Sequence, residues 1–219
     1  MAIVYSNSFN VAVDTNLLTY GAPDWYAVYN ATLGRTQVIA ASGNVQKTFD
    51  FEQSVHGLVH SLIGGINDYE VTATIGRTTD LQMGMVVARC GANNSQNFYR
   101  LGCDGADDIT LERWIAGVAT GLKTTTTTIP TNTTMPVMLR VTGTNPVVLT
   151  YSINGVIDTF SDSNAARLTS GPPGIAMQRS GTAQSGVTLD NFSVLDLGHA
   201  GVSTFQSVRR VMSWYYNNR

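Results

Sequence analysis

The sequence has little charge, because Asp, Glu, Lys and Arg make up only 13% of its 219 residues and their formal sum is −2. This charge is divided unevenly along the chain. The segment after Leu197 contains Arg209, Arg210 and Arg219 without any acid, which gives it +3 and leaves −5 on the rest. We therefore expect no broad basic surface and no nucleic-acid partner.

Long hydrophobic runs are also missing. No stretch of about 18 apolar residues is present that could cross a bilayer as a helix, so membrane insertion is not expected. The opening residues, MAIVYSNSFN, have neither the basic segment nor the apolar run of a secretion signal. We expect a chain without a signal peptide that assembles in the cytoplasm of its host cell.

Cysteine is scarce, with Cys90 and Cys103 as the two examples. They fall on neighbouring predicted strands but about four residues out of step, which is roughly 13 Å along a strand. A disulfide requires Cα atoms within about 7 Å of each other. We predict two free thiols, as is usual in a reducing compartment.

The sequence is instead rich in patterns typical of β-strands. Residues 69–75, YEVTATI, alternate apolar and polar side chains, which indicates a strand with one buried face. Further strands are expected at 83–91, 97–103 and 109–116, separated by the turn-rich stretches ANNSQ and DGADD. This spacing predicts that the four strands pair consecutively as an antiparallel meander.

The DGADD turn allows a register to be predicted for the last two of these strands. A tight hairpin there places Leu101 opposite Leu111 and Cys103 opposite Ile109 on one face. The other face then carries one cluster, formed by Phe98, Arg100, Glu112 and Trp114. Aromatic rings stack on sugars while Arg and Glu bind hydroxyls, so this cluster is the candidate glycan-binding site. Ordinary cross-strand stabilisation is the alternative.

A second hairpin is predicted at Asn154-Gly155, because both residues tolerate the positive φ of a two-residue turn. Tyr151 and Asp158 should then be neighbours. With further strands at 135–141, 174–178 and 187–197, the chain has roughly a dozen strands, as in a two-sheet antiparallel sandwich. The Thr-rich residues 124–134 are expected to form an exposed edge strand or a loop.

The residues after Leu197 follow a different pattern. Apolar residues recur there at spacings of three and four, as on one face of an amphipathic helix. This appendage, residues 198–219, is expected to be helical or extended, and either to cap its own domain or to dock on another subunit. The candidate docking residues are Val202, Phe205, Val208, Arg209, Arg210, Met212, Trp214 and Tyr215.

Several segments together resemble the concanavalin A-like lectin and glucanase superfamily, in the laminin-G-like jelly rolls of phage virion and bacterial surface proteins. The resemblance covers about residues 5–197 and is carried by SFNVAVDTNLLTYGAPDWYAVYN, YEVTATIGR, MGMVVARCGANNSQNFYRLGCDGADDITLERW, VLTYSINGVIDTFSDSNAARLTSGPPGIAM and LDNFSVLDL. It implies an all-β jelly-roll domain over residues 1–197, with ligands on the concave face or the rim loops.

Hydrolase members of that superfamily resemble one another in a Glu-x-Asp-x-x-Glu strand that places acids in the cleft. This chain has no such run, and Glu52, Glu70 and Glu112 are isolated from one another. We therefore expect no enzymatic activity. Asp104, Asp107 and Asp108 crowd one turn, which makes them a weak calcium candidate beside the simpler interpretation as turn residues; no other cofactor is expected.

These observations favour a non-enzymatic structural or binding protein of a larger assembly. The expected form is a phage virion component, such as a head decoration or tail-fibre protein, whose partners are other subunits, including copies of itself. Cell-surface glycans are the second expected partner. The alternative is a carbohydrate-binding module or lectin that acts alone.

Overall fold

The computed structural model describes residues 2–7, 15–16, 25–30, 36–39, 44–47, 54–58, 65–77, 82–103, 108–126, 130, 133–179 and 188–198. Within these ranges the regular structure is entirely β, in two antiparallel sheets. The described residues include no helix long and apolar enough to cross a membrane. The prediction of an all-β, two-sheet antiparallel sandwich is confirmed.

The described part of sheet 1 has nine strands. They are β1 (Ala2–Asn7), β2 (Thr15–Asn16), β4 (Thr36–Ile39), β5 (Asn44–Lys47), β7 (Tyr69–Arg77), β12 (Thr133–Thr142), β13 (Val147–Ile153), β14 (Val156–Asp162) and β16 (Thr188–Asp196). Their order is β14-β13-β12-β7-β16-β5-β4-β2, and β1 also pairs with β16.

The described part of sheet 2 has seven strands. They are β3 (Trp25–Asn30), β6 (Ser54–Leu58), β8 (Gln82–Ala88), β9 (Phe98–Cys103), β10 (Asp108–Ile115), β11 (Val118–Thr126) and β15 (Gly174–Arg179). Their order is β11-β10-β9-β8-β15-β6-β3. Strands β11 and β14 are described edges of the two sheets, and they lie next to each other along one side of the sandwich.

The core lies between the sheets because alternate residues of each strand are apolar and point inward. Strand β13, for example, alternates buried and half-buried residues along its whole length. The inward residues of both sheets form one cluster, which includes Val71, Leu139, Leu149, Tyr99, Leu101 and Leu111. Burying one large aliphatic side chain contributes about 1.5–3 kcal/mol, so this interface is the main source of stability.

The predicted four-strand meander is partly wrong. Strands β8, β9, β10 and β11 do pair consecutively. Strand β7, however, belongs to sheet 1, where it pairs with β12 and β16. The alternation in YEVTATI identifies the buried face of β7. The same alternation is expected whether the next strand, β8, pairs with β7 in one sheet or lies in the opposite sheet across the core. The sequence pattern therefore could not decide between these two arrangements.

Both predicted registers are confirmed. Strands β9 and β10 place Leu101 opposite Leu111 and Cys103 opposite Ile109. At the other hairpin, Tyr151 lies opposite Asp158. The turn residues Asn154 and Gly155 have φ of 49° and 83°, which is the positive φ that this turn requires.

The Thr-rich segment is an edge strand in part. Residues 124–126 end β11, as predicted, but residues 133 onward open β12, which is an inner strand. Pro136 lies opposite Thr74 of β7, just before β12 begins to pair with β13 at Val137. The proline therefore occupies a position with one neighbouring strand, where its missing N–H is tolerated.

The last described strand, β16, ends beside Asp68. The Leu197 N–H donates to the Asp68 carbonyl (3.0 Å), and the Gly198 N–H donates to Asp196 Oδ1 (2.8 Å). The candidate docking residues Val202, Phe205, Val208, Arg209, Arg210, Met212, Trp214 and Tyr215 lie outside the described residues. The domain boundary at residue 197 therefore stays a prediction.

Candidate functional site

The candidate site lies on the outer face of sheet 2, which we define as the face turned away from sheet 1. Alternate residues of β9 and β10 point to this face, and the structure brings all four predicted residues together there. Phe98 lies opposite Trp114, and Arg100 lies opposite Glu112.

Three described neighbours hold the half-buried ring of Trp114. Phe98 stacks on it with ring centroids 5.5 Å apart and planes 16° from parallel. The Arg100 guanidinium carbon lies over the ring, 4.9 Å from its centroid, in a cation–π contact. The indole N–H donates to Glu112 Oε2 (2.8 Å). The ring orientation is therefore fixed before any ligand arrives.

Arg100 and Glu112 form an ion pair, with Arg100 Nη2 2.5 Å from Glu112 Oε2. The arginine is buried, and the carboxylate is 19% exposed. Burial lowers the pKa of Arg100, while the charge of Glu112 and the hydrogen bond to it act in the opposite direction. The accessible part of the cluster is thus Trp114 and Glu112.

Phe98 is completely buried, although it lies on the outer face. It belongs to a second apolar cluster with Val28, Met85, Val87, Cys90 and Ala176, against which Tyr26 and Trp114 pack. Phe98 therefore packs against the Trp114 ring as its cross-strand neighbour and does not itself contact solvent.

On the inner face of the same strands lies a buried polar group that the sequence patterns did not reveal. Arg113 Nη1 donates to both oxygens of Asp162 (2.9 and 2.8 Å). The Tyr99 hydroxyl donates to Asp162 Oδ2 (2.8 Å) and accepts from the Leu168 N–H (3.0 Å). Burial raises the pKa of Tyr99, and its hydrogen bond to Asp162 acts in the same direction. This group joins β9 and β10 of sheet 2 to the end of β14 in sheet 1.

A second buried arginine ties the loops at the same end of the sandwich. Arg89, at φ 51°, donates from its side chain to the carbonyls of Leu168 (2.8 Å) and Gly143 (2.7 Å). Its backbone N–H donates to the Tyr69 hydroxyl (2.6 Å), which donates to the Gly171 carbonyl (3.0 Å). Burial lowers the pKa of Arg89 and raises that of Tyr69. The only sequence signal was an arginine directly after the apolar run of β8.

The calcium candidate is described only in part, since Asp104 and Asp107 lie outside the described residues. Asp108 begins β10, and its buried Oδ1 has no hydrogen-bond partner among the described residues. No group of three or more His, Cys, Asp or Glu side chains suited to a metal occurs in the described part of the chain. The calcium site therefore stays a prediction.

The two described glutamates, Glu70 and Glu112, lie on different sheets. Glu112 pairs with Arg100 on sheet 2, while Glu70 accepts from Arg140 (2.6 Å) on sheet 1. They therefore do not form with each other the carboxylate pair that flanks the scissile bond in glycoside hydrolases.

The predicted free thiol is confirmed for Cys90, which is buried and not in a disulfide. Burial raises its pKa. A buried protonated thiol is a weak nucleophile, so Cys90 is a packing residue. The side chain of Cys103 lies outside the described part of the structure.

Comparison of the sequence with family models and with curated proteins finds no match. Comparison of the fold with solved structures does. A protein of unknown function with a galectin-like fold from Bacillus subtilis superposes with a TM-score of 0.64 at 13% identity, over 90% of this chain and 96% of that one.

Two other similar structures are described as binding carbohydrate. The exoplasmic/lumenal domain of VIP36, bound to Ca²⁺ and Man3GlcNAc, has a TM-score of 0.59 at 12% identity and covers 93% of each chain. The carbohydrate-binding module CBM66 from Bacillus subtilis has a TM-score of 0.57 at 13% identity, over 79% of this chain and 96% of that one. The chain therefore has the concanavalin A-like jelly-roll fold that its sequence resembles. At these identities the likeness concerns the fold alone.

Proposed function

We propose that the chain is a non-catalytic carbohydrate-binding domain that holds a glycan on the outer face of sheet 2. The observation that carries this proposal is the fixed Trp114 ring, which Phe98, Arg100 and Glu112 hold at a partly exposed position. Aromatic faces pack on the apolar faces of sugar rings, and a ring that is already oriented loses little entropy on binding. The fold shared with CBM66 and VIP36 supports the same proposal.

The test is binding of Trp114→Ala to the members of a glycan array that the unchanged protein binds. Loss of the ring is expected to weaken binding about tenfold or more, as for an aromatic hot spot, while Trp114→Phe keeps part of it. Ile157→Ala is the matched control, because Ile157 is a 68% exposed apolar residue of β14 in the other sheet. Equal binding by the Trp114→Ala and Ile157→Ala variants would contradict the proposal.

A second proposal concerns the larger assembly to which the domain belongs. We propose that it is a subunit of a larger assembly, specifically a phage virion component, with residues 198–219 as the docking segment. The bond of the Leu197 N–H to the Asp68 carbonyl supports this, because it ties the chain to the sandwich just before the segment begins. The apolar stripe after Leu197 would then be buried on a neighbouring subunit.

Light scattering tests docking through residues 198–219 by comparing the molar mass of the full chain with that of a version that ends at Leu197. Assembly of the full chain alone is the expected result. Circular dichroism of the shortened version checks that its sheets are retained. Two monomers of equal stability would contradict docking between copies and leave the carbohydrate-binding proposal untouched.

A further inference from the structure

Gly121 leaves a gap on the outer face of sheet 2, directly beside Glu112. The two residues are register partners on β11 and β10. A Cβ atom added to Gly121 would meet no other atom within 4 Å, and the residue is exposed. Trp114 borders the gap at one end, and the register partners Thr110 and Thr124 border it at the other. The gap is open to solvent.

Glu112 forms one side of this gap, and among the described residues only one of its two carboxylate oxygens has a partner. Arg100 and Trp114 both contact Oε2, whereas no described residue donates to Oε1. Because the two contacts at Oε2 orient the carboxylate, Oε1 is an acceptor at a fixed position, which lowers the entropy cost of using it. A polar group that enters the gap and bonds to Oε1 must therefore donate a hydrogen.

The charge around the gap disfavours an acidic ligand. The described charged side chains on this face are Arg100, Glu112 and Asp108, with a formal sum of −1. Arg100 is only 8% exposed and already bonds to Glu112. A ligand carboxylate in the gap would approach the unshared oxygen of Glu112, and like charges at that distance repel.

We propose that the gap over Gly121 is the subsite for one uncharged sugar unit, and that the Arg100–Glu112 pair selects neutral over acidic glycans. A sugar hydroxyl donates to Glu112 Oε1 while the ring packs against Trp114. Gly121 is the specificity-determining residue, because any larger side chain there occupies the space of the sugar. This inference rests on the proposed carbohydrate-binding function.

The test compares the full-length protein with three variants on an array of neutral, uronic-acid-containing and sialylated oligosaccharides. Gly121→Leu fills the gap and is expected to weaken binding of neutral glycans about tenfold or more. Thr120→Leu is the matched control, since Thr120 is the exposed neighbour on the same strand and pairs with Arg113, whose side chain faces inward. Thermal unfolding of each variant checks that the fold is kept.

The third variant, Glu112→Gln, keeps the shape of the side chain and removes one negative charge. We expect its ratio of acidic to neutral glycan binding to rise about tenfold over that of the unchanged protein, because the repulsion is gone and Arg100 loses its negative partner. The inference is overturned if the unchanged protein binds acidic glycans as well as neutral ones. It is also overturned if Gly121→Leu binds like Thr120→Leu.

The outcomes separate this inference from the function on which it rests. If Trp114→Ala abolishes binding but the Gly121 and Glu112 variants behave like the unchanged protein, the subsite is wrong and the carbohydrate-binding function stands. If the unchanged protein binds no member of the array, both are wrong.

Discussion

Two arginine–carboxylate pairs lie back to back on strands β9 and β10. On the inner face Arg113 bonds to Asp162, with side chains only 7% and 3% exposed. On the outer face Arg100 bonds to Glu112, with side chains 8% and 19% exposed. Both are pairs of an arginine with a carboxylate, but their different surroundings give the two pairs different roles.

The inner carboxylate is saturated with donors. Oδ1 of Asp162 accepts from Arg113 and from the Asn164 N–H, and Oδ2 accepts from Arg113 and the Tyr99 hydroxyl. The outer carboxylate uses one oxygen and leaves the other unbonded among the described residues. A buried carboxylate whose two oxygens already accept hydrogen bonds has a structural role. A carboxylate at the surface with one oxygen open can also accept a hydrogen bond from a ligand.

The largest effect is expected from breaking the inner pair. Arg113→Ala leaves Asp162 buried without its cation, and removal of one partner of such a pair costs about 3–5 kcal/mol of unfolding free energy. Urea denaturation measures this loss.

Arg140→Ala is the control for the inner pair, because Arg140 is 43% exposed in its pair with Glu70. Its loss should cost about 0–1 kcal/mol, as for an exposed salt bridge. If the Arg113 and Arg140 variants unfold at the same urea concentration, the inner pair does not hold the sheets together.

A smaller effect on stability is expected from breaking the outer pair. Arg100→Met keeps a chain of similar length against the Trp114 ring and leaves Glu112 partly in contact with water. The cost should be about 1–3 kcal/mol, as for one charged hydrogen bond. Glycan binding should fall at the same time, because the Trp114 ring and Glu112 lose a shared neighbour. Urea denaturation and the glycan array give the two readouts. Unchanged binding in a folded variant would show that Arg100 does not position the site.

The smallest effect is expected at the exposed pair Lys123–Asp158, in which Lys123 Nζ lies 2.6 Å from Asp158 Oδ1 and links the edge strands β11 and β14. The hydrogen bond from Lys123 is the main cause that lowers the pKa of Asp158 from 3.8 to about 2. Because the folded pKa lies below the ordinary value, the stabilisation is complete above the ordinary value and is lost as pH falls through the folded one.

The pH dependence of urea denaturation checks this for the unchanged protein and Asp158→Asn. Their difference in stability should be constant above about pH 5 and shrink toward zero near pH 2. A difference that does not change over this range would mean that the charge of Asp158 does not contribute. Other carboxylates titrate in both proteins alike and cancel in the comparison.

The sequence was enough to predict which residues of the candidate site lie opposite each other. The register of β9 against β10 depends on one short turn and on alternation, which are local properties, and it placed Phe98 by Trp114 and Arg100 by Glu112. What sequence could not provide was their exposure. Phe98 is buried because it packs in a cluster with Val28 of β3, seventy positions away.

Local sequence patterns were enough to predict the all-β class, the buried face of each strand, the β9–β10 register and the Asn154-Gly155 hairpin. Each of these follows from neighbours along the chain, through side-chain direction and turn chemistry. Three features depend on tertiary packing instead: β7 belongs to sheet 1, Arg113 meets Asp162 across 49 positions, and Arg89 ties the loops. They depend on which strands face each other across the core, and the alternating sequence pattern does not differ between the possible arrangements.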